Sequence, residues 1–181
     1  MNERETTGVS ELEREQTMIS MNCQEAAPVS MPADLREEVG EQILLKLALD
    51  SVQCLQRSQL SAAVRGDANL RPEMMLTLLS YCYAARIYGS RDVECATRND
   101  RTVRYICART FPDWRAIRHF RRHNRELLEQ CLAYILKKAW ILQLQGIDGD
   151  WAMGQPAALK GKFLAQAREK IEVAMIVDRA D

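Results

Sequence analysis

The sequence predicts an all-α protein, on three observations. Gly and Pro number only 8 and 5 in 181 residues, too few for a chain built from strands and tight turns. Apolar residues recur at three- and four-residue intervals through the stretches able to form a core. Asp, Ser and Pro stand at the starts of these stretches, where they suit the first turn of a helix. The expected architecture is a compact multi-helix domain with a helix-turn-helix-like unit, preceded by a disordered acidic N-terminal arm.

Residues 1–33 form that arm: they are rich in Glu, Thr, Ser, Asn and Gln, hold Pro28 and Pro32, and show no sustained apolar period. Folding is expected to start at Asp34, an N-cap with Glu37 three positions on, before the apolar series Val39, Ile43, Leu47 and Leu49 in one helix to about Gln56. A polar connection with Gly66, Asp67 and Asn69 leads to Pro72, suited to the first turn of a helix. From Glu73 to Tyr88 the chain is apolar on most sides, which marks a buried central helix. Gly89 is expected to end it in the left-handed conformation, with Ser90 capping the next helix. Two short helices should come after it, near Arg91 to Arg98 and Arg101 to Ala108, parted by Asn99 and Asp100.

Pro112 disfavours helix at Phe111, and Asp113 can cap a helix beginning at Trp114. At about 100° per residue, Arg118, His119, Arg122 and Arg125 fall on the same side as Arg115, with Ile117, Phe120, Leu127 and Cys131 opposite. The apolar stripe continues through Leu132, Ile135 and Ala139 toward Gln145, with a break near Asn124. These helices from 34 to 145 make one domain. Beyond Gly146, the residues Asp148, Gly149, Asp150, Gly154 and Pro156 mark a loop. A last helix from about Ala157 carries Phe163, Ala167, Ile171, Ala174 and Asp178 at helical spacing. Val173 to Val177 also suits a strand, but no partner strand is offered, and helix is the expectation.

The formal net charge of zero hides a segregation: residues 1–50 hold 4 Lys and Arg against 11 Asp and Glu, whereas residues 71–138 hold 14 against 7. Such asymmetry hints at a polyanion-binding segment beside an acidic one. No apolar run approaches the roughly 20 residues of a membrane span, and the polar N-terminus lacks the pattern of a signal peptide, so a cytoplasmic protein without a membrane partner is expected. The six cysteines are spread singly and are expected to be reduced and mostly buried. Tyr81, Tyr83, Tyr88, Tyr105, Trp114 and Trp140 are expected in the core rather than as stacking surfaces. Arg91 and Glu94 are spaced for a structural ion pair.

From Arg71 onward, several short patterns occur together in order. Arg71 and Pro72 open an apolar, Leu- and Tyr-rich helix; Gly89, Ser90, Arg91 and Glu94 make a second step; Pro112 and Asp113 precede Ile117, Phe120, Arg121 and His123. Taken together, Arg71 to about Lys138 resembles the N-terminal domain of InsH-type insertion-sequence transposases, with Ala116 where that family usually has Thr or Ser. In complete members this domain precedes a ribonuclease H-like domain whose carboxylates hold two metal ions for strand transfer. Only 36 residues come after Gln145 here, without the strand–helix alternation that would gather such carboxylates. The resemblance therefore implies a non-catalytic, transposase-derived DNA-binding protein.

Arg115, Arg118, His119, Arg122 and Arg125 are the expected DNA-binding residues, since a guanidinium grips phosphate or a guanine edge through two hydrogen bonds. About four phosphate contacts give a log–log salt slope near −3.6. His119 and His123 have the i, i+4 spacing of a shared metal, but no third ligand accompanies them and Arg121 and Arg122 repel a cation. No nucleophile–base pair, phosphate-cradling glycine loop or carboxylate cluster is apparent, so no enzyme, cofactor or small-molecule substrate is expected. The alternative is a helical protein-interaction module, or an inactive relic without DNA binding. In it, the apolar stripes of Asp34 to Gln56 and Glu126 to Gln145 would seam a homodimer.

Overall fold

The computed structural model describes residues 34–63, 70–144 and 157–180. The expected arm at 1–33, the connection with Gly66, Asp67 and Asn69, and the loop from Gly146 through Asp148 to Pro156 lie outside the described residues. Among the described residues there are nine helices and no strand. They are α1 (Leu35–Val39), α2 (Glu41–Gln53), α3 (Arg57–Ala62), α4 (Pro72–Ala84), α5 (Ser90–Asn99), α6 (Arg101–Cys107), α7 (Trp114–His123), α8 (Arg125–Leu144) and α9 (Ala157–Ala180).

The first expected helix is two. Asp34 caps α1, but its carboxylate takes the backbone N–H and guanidinium of Arg36 rather than acting with Glu37. Gly40 then interrupts the helix at φ 85°, ψ 149°, backbone that a side chain strongly disfavours. The break resets the helical phase. Leu44, Leu47, Ala48 and Val52 become the buried face of α2, while Ile43 is 46% exposed, contrary to the expected series. Just beyond, α3 occupies the start of the expected polar connection, opened by reciprocal side-chain-to-backbone bonds between Gln56 and Gln59.

Pro72 stands at the first turn of α4, and every side chain from Met75 to Ala85 is buried, as a central helix requires. Its ending differs from expectation. The left-handed residue is Arg86, at φ 60°, not Gly89. The N–H of Ile87 reaches back to the Cys82 carbonyl at 2.8 Å, and that of Arg86 to Tyr83 at 3.4 Å, the paired closure of a Schellman motif. Gly89 is ordinary extended backbone before α5 and serves proximity instead: a Cβ there would sit 2.6 Å from the Asp92 carboxylate and 3.3 Å from Val177 of α9.

Two helices do most of the remaining packing. α8 lies against α9, α2 and α4, burying Leu128, Leu132, Ile135 and Ala139, and α9 adds Phe163, Ala167, Ile171 and Ala174 to the same core. Residues 173–177 are helical, so the strand alternative does not occur. The stripes of α2 and α8 are buried against each other within the chain. Cys82, Cys107 and Cys131 are buried, while Cys54 and Cys95 are exposed. Among the described residues no helix is long and apolar enough to cross a membrane.

Candidate nucleic-acid interface

The unit spanning 90–125 is built from three helices. Asp100 caps α6 by accepting the N–H groups of Thr102 and Val103 at 2.8 and 2.9 Å, and Asp113 caps α7 through the Ala116 N–H at 2.7 Å. α7 packs chiefly on α5, whereas α6 packs on α4 and α5. Glu94 ties the pair together: its carboxylate accepts the N–H of Trp114, the first residue of α7, at 3.2 Å. That satisfies one of the amides a helix start leaves unpaired, with a negative charge at its favoured end. Glu94 pairs with Arg98 at 3.4 Å and not, as expected, with Arg91. The Arg91 guanidinium instead lies over the Trp114 ring, 5.5 Å from its centroid.

α7 has two unlike faces. Inward, Ile117, Phe120 and Arg121 are buried. Outward, Arg115, His119 and Arg122 are exposed and Arg118 is half-buried. Among the described residues none of these three arginines has a carboxylate partner within ion-pair distance. Arg115 rests on Trp114, 5.2 Å from the ring centroid. The two histidine rings are 4.1 Å apart, and His123 Nδ1 lies 2.8 Å from the His119 carbonyl. Among the described residues no three His, Cys, Asp or Glu side chains gather as a metal-ligand set.

Arg125 belongs to the next helix. Asn124 leaves the helical conformation and donates its side-chain amide to the Phe120 carbonyl, ending α7, so Arg125 opens α8. Its guanidinium is held by Glu129 at 2.9 Å and Glu172 at 3.0 Å, and Arg168 also binds Glu129. Burial works to raise the Glu129 pKa, but the Arg168 and Arg125 guanidiniums outweigh it and keep the carboxyl below its ordinary value. Arg125 thus joins α8 to α9 within the fold.

The inward arginine anchors the unit. Arg121 is only 1% exposed; it donates to the Tyr83 hydroxyl at 3.0 Å and to the carboxylate of Asp178 in α9. Asp178 also accepts the N–H and the hydroxyl of Ser90, both at 2.7 Å. Ser90 does not cap α5, as its position in the sequence suggests; it is the first helical residue, and the capping carboxylate comes from 88 positions along the chain. Burial works to raise the Asp178 pKa, yet the Ser90 bonds and the Arg121 charge hold it below the ordinary value. One carboxylate therefore fixes the start of α5, the last turn of α7 and the end of α9.

In the sequence Asp178 is visible only as an acid in the phase of an apolar stripe. Tyr105 lies outside the core where it is expected: it is 69% exposed on α6, beside exposed Arg101 and Arg104. Residues 101–125 contain eight arginines, no lysine and one acid, Asp113.

No curated protein and no solved structure matches the chain. A family model does: residues 41–123, from the first residue of α2 to the last of α7, match the one described as a transposase domain (DUF772), and this part of the chain is a transposase-related domain.

Proposed function

We infer that the protein binds duplex DNA through the outer face of α7, with Arg115, Arg118 and Arg122 on backbone phosphates and base edges and His119 among them. The supporting observation is the charge partition along one helix. The inward Arg121 is neutralised by Asp178, whereas the outward arginines have no carboxylate partner among the described residues. Uncompensated guanidiniums on one rigid helix suit a polyanion, and arginine suits bidentate contact with phosphate or guanine. In this reading, α5, α6 and α7 act as a helix-turn-helix-like unit, and the role is binding rather than strand cleavage.

Arg125 drops out of the DNA contacts, because Glu129 and Glu172 already hold it. Three phosphate contacts from α7 contribute a log–log salt slope of about −2.7, an affinity loss of about fortyfold between 50 and 200 mM salt. Fluorescence anisotropy with a labelled mixed-sequence duplex reads this directly. Changing Arg115, Arg118 and Arg122 together to Glu should abolish the salt-sensitive binding and leave the helical circular dichroism unchanged. Salt-sensitive binding that survives the triple change would sink the proposal.

A further inference from the structure

Arg91 is spaced in the sequence to pair with Glu94, and the fold gives it a different position. It projects from the first turn of α5 to the start of α7, and lies with Arg115 on the indole of Trp114, at 5.5 and 5.2 Å from the ring centroid. Beside them, Ser90, Arg91, Trp114, Arg118 and Asp178 line a small cleft of about 60 Å³. Arg91, Arg115 and Arg118 thus converge from two helices, and none has a carboxylate within ion-pair distance among the described residues. Two of the acids nearby are already engaged. Asp178 is held by Arg121 and Ser90, and Glu94 is held by Arg98 and the Trp114 amide. Three like charges in one place repel, and the face of one aromatic ring offsets that repulsion only in part. Phosphate groups would relieve that repulsion and accept the guanidinium N–H groups in bidentate fashion.

We propose that Arg91 is a DNA contact: with Arg115 and Arg118 around Trp114 it forms a clamp on neighbouring backbone phosphates of the duplex, one to each guanidinium. The interface then crosses from α7 to α5. The proposal rests on the reading of α7 as the DNA-binding helix and extends it to a residue outside that helix. The indole has a defined part. It holds the two guanidiniums spread over one surface before DNA arrives, which reduces the ordering cost on binding. Arg91 is exposed and makes no hydrogen bond or ion pair among the described residues, so its loss should spare the fold.

The test uses the full chain with Trp140 and Trp151 changed to Phe, leaving Trp114 as the only indole. The mixed-sequence duplex is titrated while anisotropy and tryptophan emission are followed together. Trp114 emission should change saturably, with the same midpoint as the anisotropy. The salt slope should be about −3.6 for four contacts, falling to about −2.7 in Arg91→Gln and returning in Arg91→Lys, which restores the charge. Lys138→Gln, removing an exposed charge on α8, should leave the slope unchanged. Duplex binding with silent Trp114 emission and an Arg91→Gln slope equal to the parent's would overturn the clamp while leaving the α7 reading intact. No salt-sensitive duplex binding by the parent would overturn both.

Discussion

Arg121 and Arg122 are neighbours in sequence, identical in chemistry, and opposite in circumstance. Arg121 is enclosed between Tyr83 and Asp178, whereas Arg122 is exposed without an ion-pair partner among the described residues. The 100° between successive helical positions accounts for the difference, since Arg121 comes one turn after Ile117 and Arg122 one turn after Arg118. The consequence is that composition alone misjudges a basic helix. Of the arginines on α7, one is a structural ion and three are available to a partner, and only burial tells them apart.

The largest expected effect comes from breaking the inner arrangement. Asp178→Ala leaves Arg121 charged and unpaired in the interior, and removes both acceptors from Ser90. Stripping one partner from a buried pair costs about 3–5 kcal/mol, measurable by urea denaturation. Replacing the pair together, Arg121→Met with Asp178→Leu, should recover part of that loss, because no buried charge remains. A single mutant within 0.5 kcal/mol, roughly the scatter of ordinary surface changes, would mean that the lock does not hold the fold.

Acid should act on the same point more gently. Asp178 and Glu129 both have pKa values below their ordinary ones in the fold, so each contributes stability that is complete above the ordinary values of 3.8 and 4.5. That stability is lost as pH falls through the lower folded values. Melting temperature followed from pH 6 to pH 2 should therefore drop steeply below about 4. Asp178→Asn should begin lower and show a shallower drop, since one of the linked protonations is gone. Parallel curves for the two proteins would contradict the assignment.

Much of this is legible in the sequence. Pro72, Asp100 and Asp113 mark helix starts, and the apolar phase of α4, α8 and α9 is written in their residues. The features that escape depend on contacts between distant segments. Arg86 rather than Gly89 ends α4, because the turn is closed by hydrogen bonds to Cys82 and Tyr83 and tolerates a non-glycine. Asp178 stands out only as an acid in phase with an apolar stripe, and its partners Ser90 and Arg121 come from distant segments. The family match also differs in extent from the resemblance seen in the sequence. It begins at Glu41 rather than Arg71 and stops at His123, so it contains Ser90 and Arg121 but not the carboxylate that joins them. Helical phase puts Arg115, Arg118 and Arg122 on one face of α7; Arg125, grouped with them by phase, opens α8 beyond the break at Asn124, and its partners Glu129 and Glu172 cannot be read from phase.

Arg125 is therefore the sharpest small test of the contrast between inner and outer arginines. It is half-exposed and falls with the outer set by phase, yet Glu129 and Glu172 compensate its charge. If that compensation governs its role, Arg125→Gln should lower stability by no more than about 1 kcal/mol, the range of partly exposed ion pairs. The salt slope of duplex binding should stay the same, because no phosphate contact is lost. A slope reduced by about 1 would instead place Arg125 on the DNA. Its ion pairs with α8 and α9 would then have to open on binding, and the outer surface would continue past Asn124 onto α8.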